Sequence, residues 1–387
     1  MIYYTTFYKR LSMIETARFL KRIRLRILMI AIVLYLLKVY PVLSSYPDSL
    51  FKWTDAKELG IGGKGWNNDS SVYCRLPAKA EGHVPNAVWD LSKQTAGLYL
   101  HFFTDAPVIK AKWGLSNETL GFVHFAPTGV SGLDLYVKTA EGSWHWLGTG
   151  KPRKMENLET IVEGMIGDRR EYILYLPLYN GITHLEIGIP RESQIEKASS
   201  GTQRSIVFYG TSIIQGGCAS RPGMCSTAIL GRRLNRDIIN LGFSGSGKME
   251  PEVAGLLSEL DPEIYFIDCL PNLEAAEVAV RVEPFIRILR GVHPDTPIVL
   301  AEGITYDDAF LVKDRDLRNT QSRRALRIAY DNLLKSGVSN LYYQIAEGEL
   351  GSDGEGTVDG THPTDLGFMR QADAYELILR SILQKLK

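Results

Sequence analysis

The rhythm of the chain changes near Arg204, and that change limits the folds open to it. Beyond it, the apolar runs "SIVFY", "DIINL", "EIYFID", "PIVLAE" and "NLYYQI" are short, β-branched and aromatic. Strands buried on both faces of a sheet have this character. Between them lie helix-like stretches at Met224–Asn235, Pro251–Leu260, Glu274–Arg290, Arg318–Ser336 and Pro363–Leu386. Alternation of strand and helix predicts an α/β domain with a parallel sheet covered on both faces. Before Arg204 the pattern is different. From about Phe51 to Ser200 the candidate strands are "SVYCRL", "GLYLHFF", "VIKAKW", "GLDLYVK", "SWHWLG", "EYILYL" and "THLEIGI", broken by Gly, Pro, Asn and Asp. In the last of these Leu185, Ile187 and Ile189 alternate, as the buried face of a strand should. Many short strands with no strong helix between them predict an all-β sandwich or jelly roll. The polar run "ESQIEKASSGTQR" reads as a linker. The expected organisation is therefore residues 1–45 as a leader, 46–200 as a β-sandwich domain and 201–387 as an α/β domain.

The leader has the order of an export signal. The basic "KRIRLR" precedes the apolar Ile27–Leu37, "ILMIAIVLYLL", and Pro41 and the pair Ser44-Ser45 follow. Basic, then apolar, then small is the secretory order. An apolar run of this length is short for a membrane span, which needs about 20 residues. The expectation is a secreted or periplasmic protein, held at the membrane only through this segment if it stays uncleaved.

The formal net charge of +0 hides an asymmetry. Residues 1–44 carry eight Lys/Arg against one acid, Glu15, which leaves the rest of the chain with a net charge of about −7. Nucleic-acid binding needs clustered cations against phosphate, so that class is disfavoured. Four cysteines are present: Cys74, Cys218, Cys225 and Cys269. None forms a zinc-type CxxC pair. Cys218 and Cys225 share the loop "GGCASRPGMC", where export would permit a disulfide and where two free thiols are equally open.

In open parallel sheets, ligands bind beyond the carboxyl ends of the strands. There the sequence places Ser212 in "GTSIIQGG", Gly245 in "NLGFSGSG", Asn272 in "DCLPNL", and Asp359 with His362 in "DGTHPTDLG". Each alone has an ordinary reading as a turn or cap residue. Together, at one sheet edge, they are the groups acyl transfer requires. Ser212 would be the nucleophile, His362 the base and Asp359 the residue that orients it. The Ser212 N–H, the Gly245 N–H and the Asn272 side chain would hold the oxyanion. No metal or organic cofactor is needed for this chemistry. The other histidines, His83, His101, His124, His145, His184 and His293, are expected away from Ser212.

These blocks resemble those of the SGNH (GDSL-type) hydrolases, in order and in spacing. "GTSIIQGG" is similar to their first block, Gly245 and Asn272 match the second and third, and "DGTH" is the DxxH of the last. "HFAPTGVSGLDLY" resembles the GxDLY signature of a β-sandwich that precedes one branch of the family. The resemblance implies a flavodoxin-like three-layer hydrolase domain and an esterase activity. Two positions depart from the pattern. Thr211 stands where Asp usually precedes the serine, and Leu270-Pro271-Asn272-Leu273 replaces Gly-x-Asn-Asp.

The expected function is a secreted serine esterase acting on short acyl esters, acetyl above all, on carbohydrate. The small polar residues around Ser212 and Gly245 favour a short acyl group. Two alternatives stay open: a lipase or thioesterase of the same fold, and a carbohydrate-binding protein with an inactive hydrolase domain, for which Trp53, Trp66, Trp89, Trp113, Trp144 and Trp146 would supply aromatic faces.

Overall fold

The computed structural model describes Met29 and residues 48–66, 72–198 and 203–386. The segment expected to direct export lies outside the described residues apart from Met29. Among the described residues no helix is long and apolar enough to cross a membrane. Residues Phe51–Lys387 form one compact unit.

Among the described residues, ten strands make up the β-rich region: β1 (Phe51–Asp55), β2 (Ile61–Gly62), β3 (Tyr99–Thr104), β4 (Val108–Leu115), β5 (Leu133–Lys138), β6 (Trp144–Gly150), β7 (Glu156–Glu163), β8 (Arg170–Tyr175), β9 (Ile182–Pro190) and β10 (Ile195–Lys197). They form two antiparallel sheets, ordered β1-β9-β4-β7 and β10-β3-β8-β5-β6, with β2 added to β3. Between them lies a core that includes Trp113, Leu133, Leu135, Leu185, Ile187 and Ile189. This is the expected β-sandwich, with corrections. "SVYCRL" is not a strand: Tyr73–Leu76 is irregular although buried. Its arginine explains this. Arg75 is fully buried and donates to four carbonyls, so the segment is fixed by a side chain and not by a strand ladder. The expected linker contains β10, which pairs with β3. An unexpected helix, Asn86–Ser92, lies within the β-rich region. Strand β7 escapes sequence reading because it is a polar edge strand, "ENLETIVE", with Leu158 turned to solvent. Of the tryptophans, Trp146 is 51% exposed on edge strand β6.

The α/β region carries β11 (Ile206–Gly210), β12 (Ile238–Gly242), β13 (Ile264–Asp268), β14 (Ile298–Ala301) and β15 (Leu341–Gln344). All pair in parallel, in the order β12-β11-β13-β14-β15. This is the flavodoxin-like order, with its switch point beside β11. Successive residues of β11 serve opposite layers. Val207 and Tyr209 join the core under the helices Pro251–Leu257, Ala275–Val292 and Lys313–Lys335. Ile206 and Phe208 join the core under Ser226–Leu234 and Asp365–Lys385. Both cores extend into the β-rich region: Leu76, Ala80, Val84 and Val88 belong to the first, Phe125, Val130, Tyr136 and Leu178 to the second.

The GxDLY aspartate is part of this join. Asp134 is fully buried, and its Oδ2 accepts from Arg221 Nη1 and from the Gly223 N–H, both at 2.8 Å. It thereby holds the loop that follows Ser212. Burial pushes its carboxyl up to about 6, against the pull of Arg221 and the Gly223 N–H.

Candidate active site

Ser212 is the first residue of a one-turn helix, Ser212–Gln215, that starts where β11 ends. Its own N–H therefore has no intrahelical acceptor. Thr211 is the N-cap, and its Oγ1 accepts from the Ile213 N–H at 3.2 Å. A threonine hydroxyl caps as an aspartate carboxylate would, so the departure at this position leaves the turn intact. Gly216 ends the turn at φ +104°, a left-handed conformation that glycine tolerates.

The Ser212 Oγ lies 2.9 Å from His362 Nε2. On the other side of the ring, His362 Nδ1 lies 2.8 Å from Asp359 Oδ2. The other carboxylate oxygen, Asp359 Oδ1, accepts from the backbone N–H groups of Thr361 (3.0 Å) and His362 (2.7 Å). The DxxH spacing thus folds the chain into a turn that fixes the ring against the carboxylate. Burial works to raise the Asp359 carboxyl, but the hydrogen bonds from His362 and Thr361 outweigh it and hold it below its ordinary range. With Asp359 ionised, Nδ1 carries the proton and Nε2 presents a lone pair to Ser212.

Gly245 sits in the loop after β12 at φ +68°. A hydrogen bond from the Ser244 N–H to Gln215 Oε1, 2.9 Å, ties this loop to the Ser212 turn. The Gly245 N–H has no acceptor among the described residues. Asn272 lies in the single 3-10 turn Leu270–Asn272 after β13. We assign the amide orientation in which Oδ1 accepts from Ser246 N–H (3.2 Å) and Gly247 N–H (3.3 Å). The opposite orientation offers only two contacts of 3.4 Å, to the Phe243 and Gly247 carbonyls. The chosen one frees Nδ2 to donate elsewhere. Replacement of the usual Asp by Leu273 is accommodated because Leu273 is wholly buried in the first core.

Sequence reading missed four contributors. Gln215 is fully buried and, besides holding Ser244, donates to the Leu178 carbonyl and to Gln94 Oε1. Arg75 donates to the Asn240 (3.2 Å) and Gly242 (2.6 Å) carbonyls just before the Gly245 loop. Burial pushes its guanidinium down to about 10. The third is His124, expected far from Ser212, whose ring centroid lies 6.1 Å from that of His362. It sits at the tip of a tight turn closed by the Phe122↔Phe125 bridge. No periodicity reveals such a placement, because His362 is over 200 residues away along the chain. Tyr179, also from the β-rich region, donates to the Ser212 carbonyl at 3.2 Å.

The four cysteines are free thiols, so Cys218 and Cys225 are not bridged. Burial, then the charge of Asp359, pushes the Cys218 thiol up to about 12, which leaves it neutral. A cavity of about 440 Å³ lies elsewhere, lined by Tyr99, His101, Trp144, Lys197 and Asp237, and touches none of the converging groups.

Two families match the chain: GDSL-like Lipase/Acylhydrolase over residues 203–380, and the N-terminus of SGNH-type esterases, GxDLY, over 51–195. A protein from Bacteroides ovatus described as a GDSL-like lipase is 36% identical, over 86% of this chain and 98% of its own, with a TM-score of 0.83. The chain belongs to the GDSL-like lipase/acylhydrolase family. As a member, it is a hydrolase of ester bonds. More distant structures share the GDSL-like fold with its leading β-sandwich. A salicylyl-acyltransferase from a tetracycline biosynthetic pathway is 19% identical, with a TM-score of 0.65 over 88% of this chain and 97% of its own. A family two carbohydrate esterase from Clostridium thermocellum, solved with cellohexaose, is 14% identical, with a TM-score of 0.54 over 75% of this chain and 93% of its own. No curated protein matches the chain.

Proposed function

We propose that this family member is an exported serine esterase that removes short acyl groups, acetyl above all, from carbohydrate. The observation that carries the reading is the aligned set Ser212 Oγ, His362 Nε2 and Nδ1, and Asp359 Oδ2, with contacts of 2.9 and 2.8 Å. In the reaction, Ser212 Oγ attacks the ester carbonyl carbon while its proton passes to His362 Nε2. Asp359 stabilises the imidazolium. The Ser212 N–H, the Gly245 N–H and Asn272 Nδ2 receive the charge that builds on the carbonyl oxygen. His362 then protonates the departing sugar oxygen. Water repeats the sequence on the acyl-serine and releases the acid.

Two features favour a short acyl group. Ile213 and Ile214, the apolar neighbours of Ser212, are buried in the second core and line no channel. The remaining neighbours, Gly210, Thr211, Gln215, Gly216 and Gly217, are small or polar. A long chain would need apolar lining, at about 0.8 kcal/mol per buried CH₂. Carbohydrate fits the export signal and the fold shared with the cellohexaose-bound esterase. A lipase reading rests on one observation: Phe122 and Val123 are exposed beside His124, where they could meet an acyl chain.

Kinetics on C2 to C12 p-nitrophenyl esters, then acetate release from acetylated glycans, test the reading. A maximum at C2 with acetate released is expected. A maximum at C8 or longer with no acetate released would overturn it in favour of the lipase. A folded Ser212→Ala variant should lose activity; near-wild-type kcat would remove Ser212 from the mechanism.

A further inference from the structure

Beside the proposed catalytic pair stand two groups that ester hydrolysis does not use, His124 and Cys218. His124, Cys218 and His362 each offer one ligand atom, and these atoms all lie within 4.8 Å of one another. Three separate segments supply them, and each is held. His124 tips a turn closed by paired hydrogen bonds between Phe122 and Phe125, with Phe125 buried against Tyr179. Cys218 is buried, and its backbone is held at φ +74° in the loop after the Ser212 turn. Few non-glycine residues take that conformation, and here it is set within a loop closed by the Ala219 N–H to Gly216 carbonyl bond. His362 is fixed by Asp359.

We propose that His124, Cys218 and His362 form an inhibitory site for a thiophilic divalent cation, with zinc as the type case. Two imidazoles and a thiolate are the donors that zinc selects over magnesium or calcium. Tetrahedral zinc with such ligands sets neighbouring donor atoms about 3.3 to 3.6 Å apart. Closing from 4.8 Å asks for a shift of about an ångström, and the exposed His124 side chain is free to rotate inward. Asp359 already accepts from His362 Nδ1, the arrangement that commonly backs a metal-bound histidine. The pairing that prepares Nε2 as a base also prepares it as a ligand. An ion on Nε2 takes the lone pair from Ser212 Oγ, and the proton of Cys218 leaves to solvent as the thiolate binds. The inhibitory effect rests on the reading of His362 as the base; the binding itself does not.

The test uses the full chain without an affinity tag, freed of metal by a chelator, and titrated with cobalt(II) and then zinc(II). Wild type and Ser212→Ala should each bind one cobalt, with a near-ultraviolet thiolate-to-cobalt charge-transfer band that zinc removes. Cys218→Ser should lose the band. With p-nitrophenyl acetate, the zinc concentration for half-inhibition should rise at least about tenfold in Cys218→Ser and in His124→Ala, each relative to its own uninhibited rate. No charge-transfer band in wild type would overturn the proposal. So would equal half-inhibitory zinc concentrations in wild type and both variants. An inactive wild type would instead refute the esterase reading, and the cobalt titration would still decide the site.

Discussion

The buried pair Asp134–Arg221 offers a measurable quantity in the double-mutant cycle of Asp134→Asn and Arg221→Met. Asp134 is completely buried, while the Arg221 side chain is 23% exposed and reaches Tyr136 as well. Losing one partner of a fully buried ion pair costs about 3–5 kcal/mol. Partial solvation of Arg221 and its bond to Tyr136 place this pair below that range. The single variant Asp134→Asn is a poor measure. It removes the attraction to Arg221 and at the same time relieves the burial of a charge, and the two effects oppose. The cycle cancels the burial cost and leaves the pairing, for which a coupling of about 2 kcal/mol is expected at pH 8. The coupling has a pH sign. The carboxyl titrates near 6, so it is ionised at pH 8 and largely neutral at pH 5, and the coupling should shrink as pH falls through that value. Urea unfolding of the four proteins at both pH values supplies the numbers. A coupling under about 0.5 kcal/mol at pH 8, or one that does not change by pH 5, would refute the account of Asp134 as an ionic latch.

Asn272→Ala should lower kcat about a hundredfold or more with little change in KM, as loss of an oxyanion donor does; a defect confined to KM would make it a substrate-binding residue. Asp359→Asn should reduce kcat less than His362→Ala, because it orients the base and carries no proton; the reverse order in steady-state assays would exchange their roles. Asp268, fully buried with Oδ2 accepting from Tyr375, is pushed up to about 7 by burial, which that bond only partly offsets. A carboxyl raised in the folded state gives stability that is lost as pH climbs through its folded value, so wild type should weaken in urea between about pH 4 and 7. Asp268→Asn should flatten that decline, and equal pH slopes in the two proteins would count against it.

The α/β region was legible because β11 to β14 are buried on both faces and three of its helices run 18 residues or more, so period and composition agree. Ser212, Gly245 and Asn272 could be placed because each follows closely on a strand end, and Asp359 with His362 because they stand just before the last helix. The β-rich region was only partly readable. Its edge strand β7 alternates weakly, and Tyr73–Leu76 carries apolar residues that look like a strand while Arg75 binds carbonyls far along the chain. His124 escaped for the same reason: its neighbour His362 is close only in space.

That Arg75 finds its acceptors on Asn240 and Gly242 has a bearing on how the chain is made. Synthesis proceeds from the N-terminus, and early domains commonly fold while later ones are still being added. Here the order has a gap in it. The sandwich strands can pair as they emerge, but the stretch around Arg75 must wait for some 165 more residues before its carbonyl partners exist. Until then a guanidinium destined for the interior stays in water, and Leu76, Val84 and Val88 lack the β12 side of their core. A segment that is among the first to be synthesised thus becomes native only after the second strand of the α/β region has been made.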